Sequence, residues 1–163
     1  MSKNLGGELP DDVLRRLNGE ALATVADRVI VVCSVDDRGF PHAALLSYFE
    51  VLAIDSRTIR LALYAESRTT RNARREGRLT LLLIDSEFVC YVKGSVEELA
   101  ASMRVTPYNA RLTLRVTEVL ADAPDPAFEP GAYIASGIRY VNPGRAQELE
   151  RARLVLAELR ESS

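Results

Sequence analysis

The chain has no tryptophan, one histidine and two cysteines among its 163 residues, and the shortage of histidine and cysteine bears on metal chemistry. His42 is the only imidazole, and Cys33 and Cys90 lie far apart in the β-forming strings VVCSV and FVCYV. A zinc site needs three or four protein ligands at short spacing, so no metal centre is expected. The cysteines read as small buried hydrophobes. A chain of this length buries roughly 70% of its unfolded surface and needs no disulfide staple. Excess charge of one sign is also missing: 21 basic and 23 acidic residues leave a net charge of −2. No global field therefore draws the chain to nucleic acid or to an anionic membrane. No apolar run approaches the roughly 20 residues that span a bilayer, and the opening MSKNLGGELPDD lacks the apolar core of a signal peptide. Neither partner is expected, and a cytoplasmic location is the default. A Ser-His-Asp arrangement, a paired-carboxylate motif and a P-loop are absent as well.

What is present is an ordinary globular balance, 47% hydrophobic and 27% charged. One domain over residues 1–163 is expected, with a core from about 22 to 122. Asp11 and Asp12 favour a helix start before VLRRL, and Gly19 is a candidate break. IVVCSV, ending at Val35, is a β-branched run followed by the turn signal Asp36-Asp37-Arg38-Gly39, which predicts a hairpin. The string HAALLSYFEVLAI reads as one long, bent second strand. TIRLALY, RLTLLLID, FVCYVKGSVE and RLTLRVTEVLAD supply four more, with Gly94 a candidate bulge or close backbone approach. Between the third and fourth strands Ser67 caps RTTRNARREG, and Gly77 is the expected C-terminal stop of a short helix. ADAPDPAFEPG is a loop, YIASGIRYV is either a short strand or an irregular docking segment, and a packing helix spans about 144–161 with a stripe of Leu149, Ala152, Leu156 and Leu159. The fold class is mainly β with a few helices, a six-stranded antiparallel barrel.

The start of the central helix has chemical interest of its own. It offers unpaired backbone N–H groups, a partial positive charge, the hydroxyls of Ser67, Thr69 and Thr70, and the guanidiniums of Arg68 and Arg71. Those are the groups that hold a phosphate. The plainer alternative is a simple N-cap at Ser67 followed by a solvated arginine face.

The strings VVCSVDDRGFPHAALLSYF, RLALYAESRTTRNARREGRLTLLLID and YVKGSVEEL together resemble the pyridoxamine-phosphate-oxidase-like family of flavin-binding split barrels, over Val29 to Leu99. The resemblance implies a Greek-key split barrel with flavin mononucleotide (FMN) as cofactor. Its phosphate is expected at Ser67, Arg68, Thr69 and Arg71, and its ring along Leu45, Leu46, Ser47, Leu63 and Tyr64. It also implies a homodimer with the cofactor site at the subunit interface, and hydride transfer to or from a small-molecule substrate. Deazaflavin and haem are the cofactor alternatives within the same fold, His42 being the only candidate axial ligand for haem. Two departures stand out. His42 and Ser47 occupy the places where the vitamin oxidases carry an Arg and a Lys toward the phosphate. Arg139 and Arg145 lack the neighbouring His of the Arg-x-His element that grips the vitamin substrate. The vitamin oxidase activity itself is therefore not expected, and a cofactor-free interaction or sensing module is a competing reading.

Overall fold

A computed structural model describes residues 2–162. Eight strands are arranged with three helices. The strands are β1 (Lys3–Gly6), β2 (Val29–Val35), β3 (Pro41–Ser47), β4 (Val51–Asp55), β5 (Thr58–Tyr64), β6 (Arg78–Ile84), β7 (Val89–Ala100) and β8 (Asn109–Asp122); the helices are α1 (Asp11–Leu17), α2 (Arg68–Glu76) and α3 (Leu149–Arg160). All strand pairs are antiparallel, in the order β3-β2-β6-β7-β8-β5-β4, with β1 added beside β8.

The mainly β split-barrel class expected from sequence is the one the chain adopts, with two more strands than the six anticipated. One is β1. The other arises because HAALLSYFEVLAI is not continuous: a short 3₁₀ helix, Tyr48–Glu50, divides it into β3 and β4. Ser47 caps that turn, its hydroxyl accepting from the Phe49 N–H at 3.1 Å while its own N–H donates to Glu50 Oε2 at 2.8 Å. The interruption has a topological consequence. β3 and β4 are the two ends of the strand order, so this single turn carries the chain from one edge of the sheet to the other.

Side chains alternate between an interior core, containing Ile30, Val32, Leu61, Leu81, Leu83, Leu112 and Leu114, and the outer surface. The alternation fades in TIRLALY because α3 covers the outside of β4 and β5. Leu52 and Ala62 point to a second apolar cluster with Ala152, Val155, Leu156 and Leu159. Three of the four stripe positions named for this helix, Ala152, Leu156 and Leu159, are buried. The segment YIASGIRYV is a docking segment: Tyr140 N–H donates to the Asp27 carbonyl at 2.7 Å, and Arg139 makes an isolated bridge with Arg28.

Glu158 fixes α3 to the loop before β8. Buried at 6% exposure, its two oxygens accept from the N–H groups of Arg104 (2.7 Å) and Val105 (2.9 Å). Burial alone raises its pKa, but the two backbone bonds and the Arg104 and Arg111 guanidiniums outweigh that and hold it below the usual glutamate value. A depressed folded-state pKa stabilises the protein above the unfolded value, about 4.3, and the contribution is lost as pH falls through the folded value. Glu158→Ala is expected to cost about 3 kcal/mol near neutral pH. In chemical denaturation, the gap between wild type and Glu158→Gln should close as the pH is taken below that range.

Candidate functional site

α2 begins and ends where its sequence dictates. Ser67, extended at φ −69° and ψ 155°, accepts from the Thr70 N–H, and Gly77 closes the helix in the left-handed conformation at φ 64°. The Ser67 hydroxyl also donates to Thr70 Oγ1 (3.0 Å), and the Thr70 hydroxyl passes on to the Tyr64 carbonyl (2.9 Å). This relay ties the first turn of α2 to the end of β5. Ser67→Ala should therefore cost about 1 kcal/mol, readable in the thermal unfolding midpoint, and loosen the turn without unfolding the barrel.

With Thr70 N–H satisfied by the cap and Arg71 N–H by the Ser67 carbonyl, the N–H groups of Arg68 and Thr69 are the donors left without a partner among the described residues. The arginines of this segment then divide by their partners. Arg74 Nε meets Glu98 at 2.7 Å and its Nη1 meets the Ala65 carbonyl; Arg75 bonds Glu76, Asn72 and the Val35 carbonyl; Arg78 pairs with Glu76. Arg71 reaches only the Glu66 carbonyl, at 3.2 Å. Arg68 is exposed and its guanidinium has no hydrogen bond or ion pair among the described residues. The free charge of α2 is thus concentrated at its first turn, beside the free N–H groups.

A polar bridge fastens α2 beneath the first hairpin. Asn72 Nδ2 donates to Ser34 Oγ at 2.9 Å, and the Ser34 hydroxyl in turn faces the His42 carbonyl at 3.4 Å across the β2–β3 pair. His42 is half-buried on β3. Along the same strand Leu45 is 54% exposed while Leu46 is 8% exposed and packed in the core, as neighbouring strand residues must point to opposite faces. Leu63 is a core residue too, whereas Tyr64 is 56% exposed. Thr69 is buried, and Ser47 is committed to its capping box. Of the ten positions named from sequence, Leu45, Tyr64, Arg68 and Arg71 present open side chains, His42 is half-open and Ser67 is occupied as a cap. Leu46, Leu63, Thr69 and Ser47 form the support behind them.

Two adjoining clefts open at the end of β3. One, of about 180 Å³, is lined by Ser47, Phe49, Glu50, Tyr108, Asn109 and Arg145 among others; the second, of about 280 Å³, adds Val29, Leu45 and Tyr140. Ser47, Glu50 and Arg145 border both. Asn109 is the cross-strand partner of Tyr64, and the Ala65 N–H donates to the Tyr108 carbonyl at 2.9 Å, so these clefts lie at the same end of the barrel as the α2 start. Burial pushes the Glu50 carboxyl up from its ordinary pKa, against the Ser47 N–H and Arg145, which lower it. Arg145 stacks over Phe49 at 5.2 Å and pairs with Glu148 at 2.9 Å. Sequence reading did not single out Glu50, Tyr108 or Asn109. The signal for Glu50 was present in Ser47-Tyr48-Phe49-Glu50, which has the S-x-x-E form of a capping box.

Comparison with known proteins gives a consistent result. The model of a family described as pyridoxamine 5'-phosphate oxidase matches residues 18–129. A relative from Bacillus subtilis (strain 168), the uncharacterized protein YclD, is 25% identical over 152 residues, 93% of this chain and 96% of its own. Among solved structures, a Lactobacillus delbrueckii protein named for pyridoxamine 5'-phosphate oxidase superposes with a TM-score of 0.56 at 16% identity, covering 72% of this chain and 98% of that one. An FMN-binding protein from Syntrophomonas wolfei superposes at 0.52 with 13% identity, covering 71% and 90%. At these identities the structures establish a shared fold.

Proposed function

Because the chain belongs to the pyridoxamine 5'-phosphate oxidase family, we propose that it binds FMN, with the phosphate at the first turn of α2 and the ring against Leu45 and Tyr64, and that it works as a redox protein on a small molecule. The observation that carries this reading is the donor set of Arg68 N–H, Thr69 N–H and the Arg68 guanidinium, unpaired among the described residues. A dianionic phosphate satisfies all of them at once, in the charge-assisted manner that guanidinium and helix N-termini favour. Bound FMN would supply the capacity to accept and return hydride.

The chain's own residues do the rest. The Ser67–Thr70–Tyr64 relay fixes the turn that meets the phosphate. Leu45 and Tyr64 offer apolar surface for the ring, and the clefts beside Ser47 offer room for a small substrate between Glu50, Tyr108 and Arg145. The exposure of Leu45, Tyr64 and Tyr108 supports the further proposal that a second copy of the chain covers the site as a homodimer. The cofactor-free reading draws its support from His42 and Ser47, which stand where the vitamin oxidases carry an Arg and a Lys, Ser47 being committed to its capping box.

The test is a visible absorption spectrum of purified protein incubated with FMN and then desalted. Retained flavin bands are the expected result; a colourless protein that fails to take up added FMN supports the cofactor-free module instead.

A further inference from the structure

Three guanidiniums gather on one face of β5 and β8 with too few acceptors among the described residues to balance them. The strand register sets Arg60 opposite Thr113, and Arg111 and Arg115 lie two residues to either side of Thr113, hence on its face. Arg111 is 9% exposed and Thr113 2%, while Arg60 is half-buried and Arg115 exposed, so the group runs from buried to exposed along the face.

The carbonyl of Glu161, just beyond α3, accepts from Arg111 Nη2 and from Arg60 Nη1 at 3.4 Å. That leaves Nε of Arg60, Nε of Arg111 and Oγ1 of Thr113 buried with no hydrogen-bond partner among the described residues. The carboxylates nearby are engaged or peripheral. Glu158 is spent on the N–H groups of Arg104 and Val105, and Glu161 pairs with Arg104. Asp55 acts on Arg60 through space, and Glu97 is the exposed partner of Thr113 on β7. Among the described residues the C-terminus of α3 adds about half a negative charge, which does not balance three full cations. Burial, followed by the like charges of Arg111 and Arg115, lowers the Arg60 pKa, as expected of an under-compensated cluster.

We propose that Arg60, Arg111, Thr113 and Arg115 form an oxyanion site that takes a phosphate group, separate from the α2 turn. Guanidinium forks match tetrahedral oxyanions through paired N–H bonds, and the Thr113 hydroxyl adds a donor that carries no charge. The site would be filled by inorganic phosphate or by the phosphate of a small metabolite reaching it from the exposed Arg115 side.

The test uses the full chain carrying Arg68→Ala, which removes the guanidinium of the α2 turn and weakens phosphate there. Inorganic phosphate is titrated against the melting temperature at ionic strength held constant with chloride, and acetate serves as the monoanion control. The expected result is a saturable rise with phosphate and none with acetate. Arg115→Gln changes an exposed residue and should weaken phosphate about tenfold; adding Arg60→Gln should abolish the saturable rise. A flat phosphate titration, an equal response to acetate, or an unchanged rise in the Arg60→Gln/Arg115→Gln protein overturns the proposal. Because every protein compared carries Arg68→Ala, whatever phosphate the α2 turn still takes is common to all of them, and the loss on replacing Arg115 and Arg60 belongs to this cluster.

Discussion

Gly94→Ala is expected to destabilise the fold by about 3 kcal/mol or more, a fall of roughly 10 °C in Tm for a chain of this size. Gly94 lies where β7 shifts register against β8, between the pairs Lys93↔Glu118 and Gly94↔Val116. A Cβ there would stand 2.4 Å from the Arg115 carbonyl oxygen and 2.5 Å from Leu114 Cδ2. The first contact is with backbone in the middle of a long paired strand, and Leu114 is fully buried in the barrel core, so neither can step aside cheaply. Urea denaturation monitored by circular dichroism measures the cost. A loss below about 1 kcal/mol would mean that the β7–β8 ladder yields far more readily than a packed interior does.

Arg68→Ala is expected to weaken FMN binding between about tenfold and a hundredfold while leaving stability unchanged. The side chain is exposed and unpaired among the described residues, so its removal breaks nothing in the fold. What it removes is the guanidinium that, among the described residues, stands without a partner beside the unpartnered N–H groups of the α2 start. Arg74→Ala provides the contrast. Arg74 is tied to Glu98 and to the Ala65 carbonyl, so its loss should leave FMN affinity within about threefold of wild type. Quenching of flavin fluorescence reads both. Equal weakening by the two variants would reduce the role of α2 to a diffuse positive field.

The helix that carries the proposed phosphate site was legible in the sequence, because both of its ends rest on local chemistry. A serine cap and a glycine in left-handed conformation act within a few residues of themselves. Gly94 was legible for the same reason, as a residue without a side chain in a strand. The second strand was not. Its apolar residues run on through Tyr48 and Phe49 without a gap, and hydrophobic continuity hid the capping box that splits it. That one turn gives Ser47, expected along the flavin ring, a local role as the cap of the turn between β3 and β4.

Arginine pairing lay beyond sequence altogether. Sequence sets Arg68 apart from Arg74 only by its place at the helix start; that Arg74 is tied up by Glu98 from β7 and by the Ala65 carbonyl is a matter of the fold. The clefts at the end of β3 were hidden for a similar reason, since Glu50, Tyr108 and Arg145 come from segments far apart in the chain. Composition excluded metal and nucleic-acid partners as expectations; what it could not do was place one cation among many.

The central claim is that the α2 turn recognises the phosphate of FMN, and comparing FMN with riboflavin in parallel fluorescence titrations of the wild-type protein tests it most directly. The two share the ring and differ by the phosphate. FMN should bind saturably and riboflavin at least about fiftyfold more weakly, since two backbone N–H groups and one guanidinium lose their partner. Equal affinity for the two, or no saturable binding of FMN, would contradict the account.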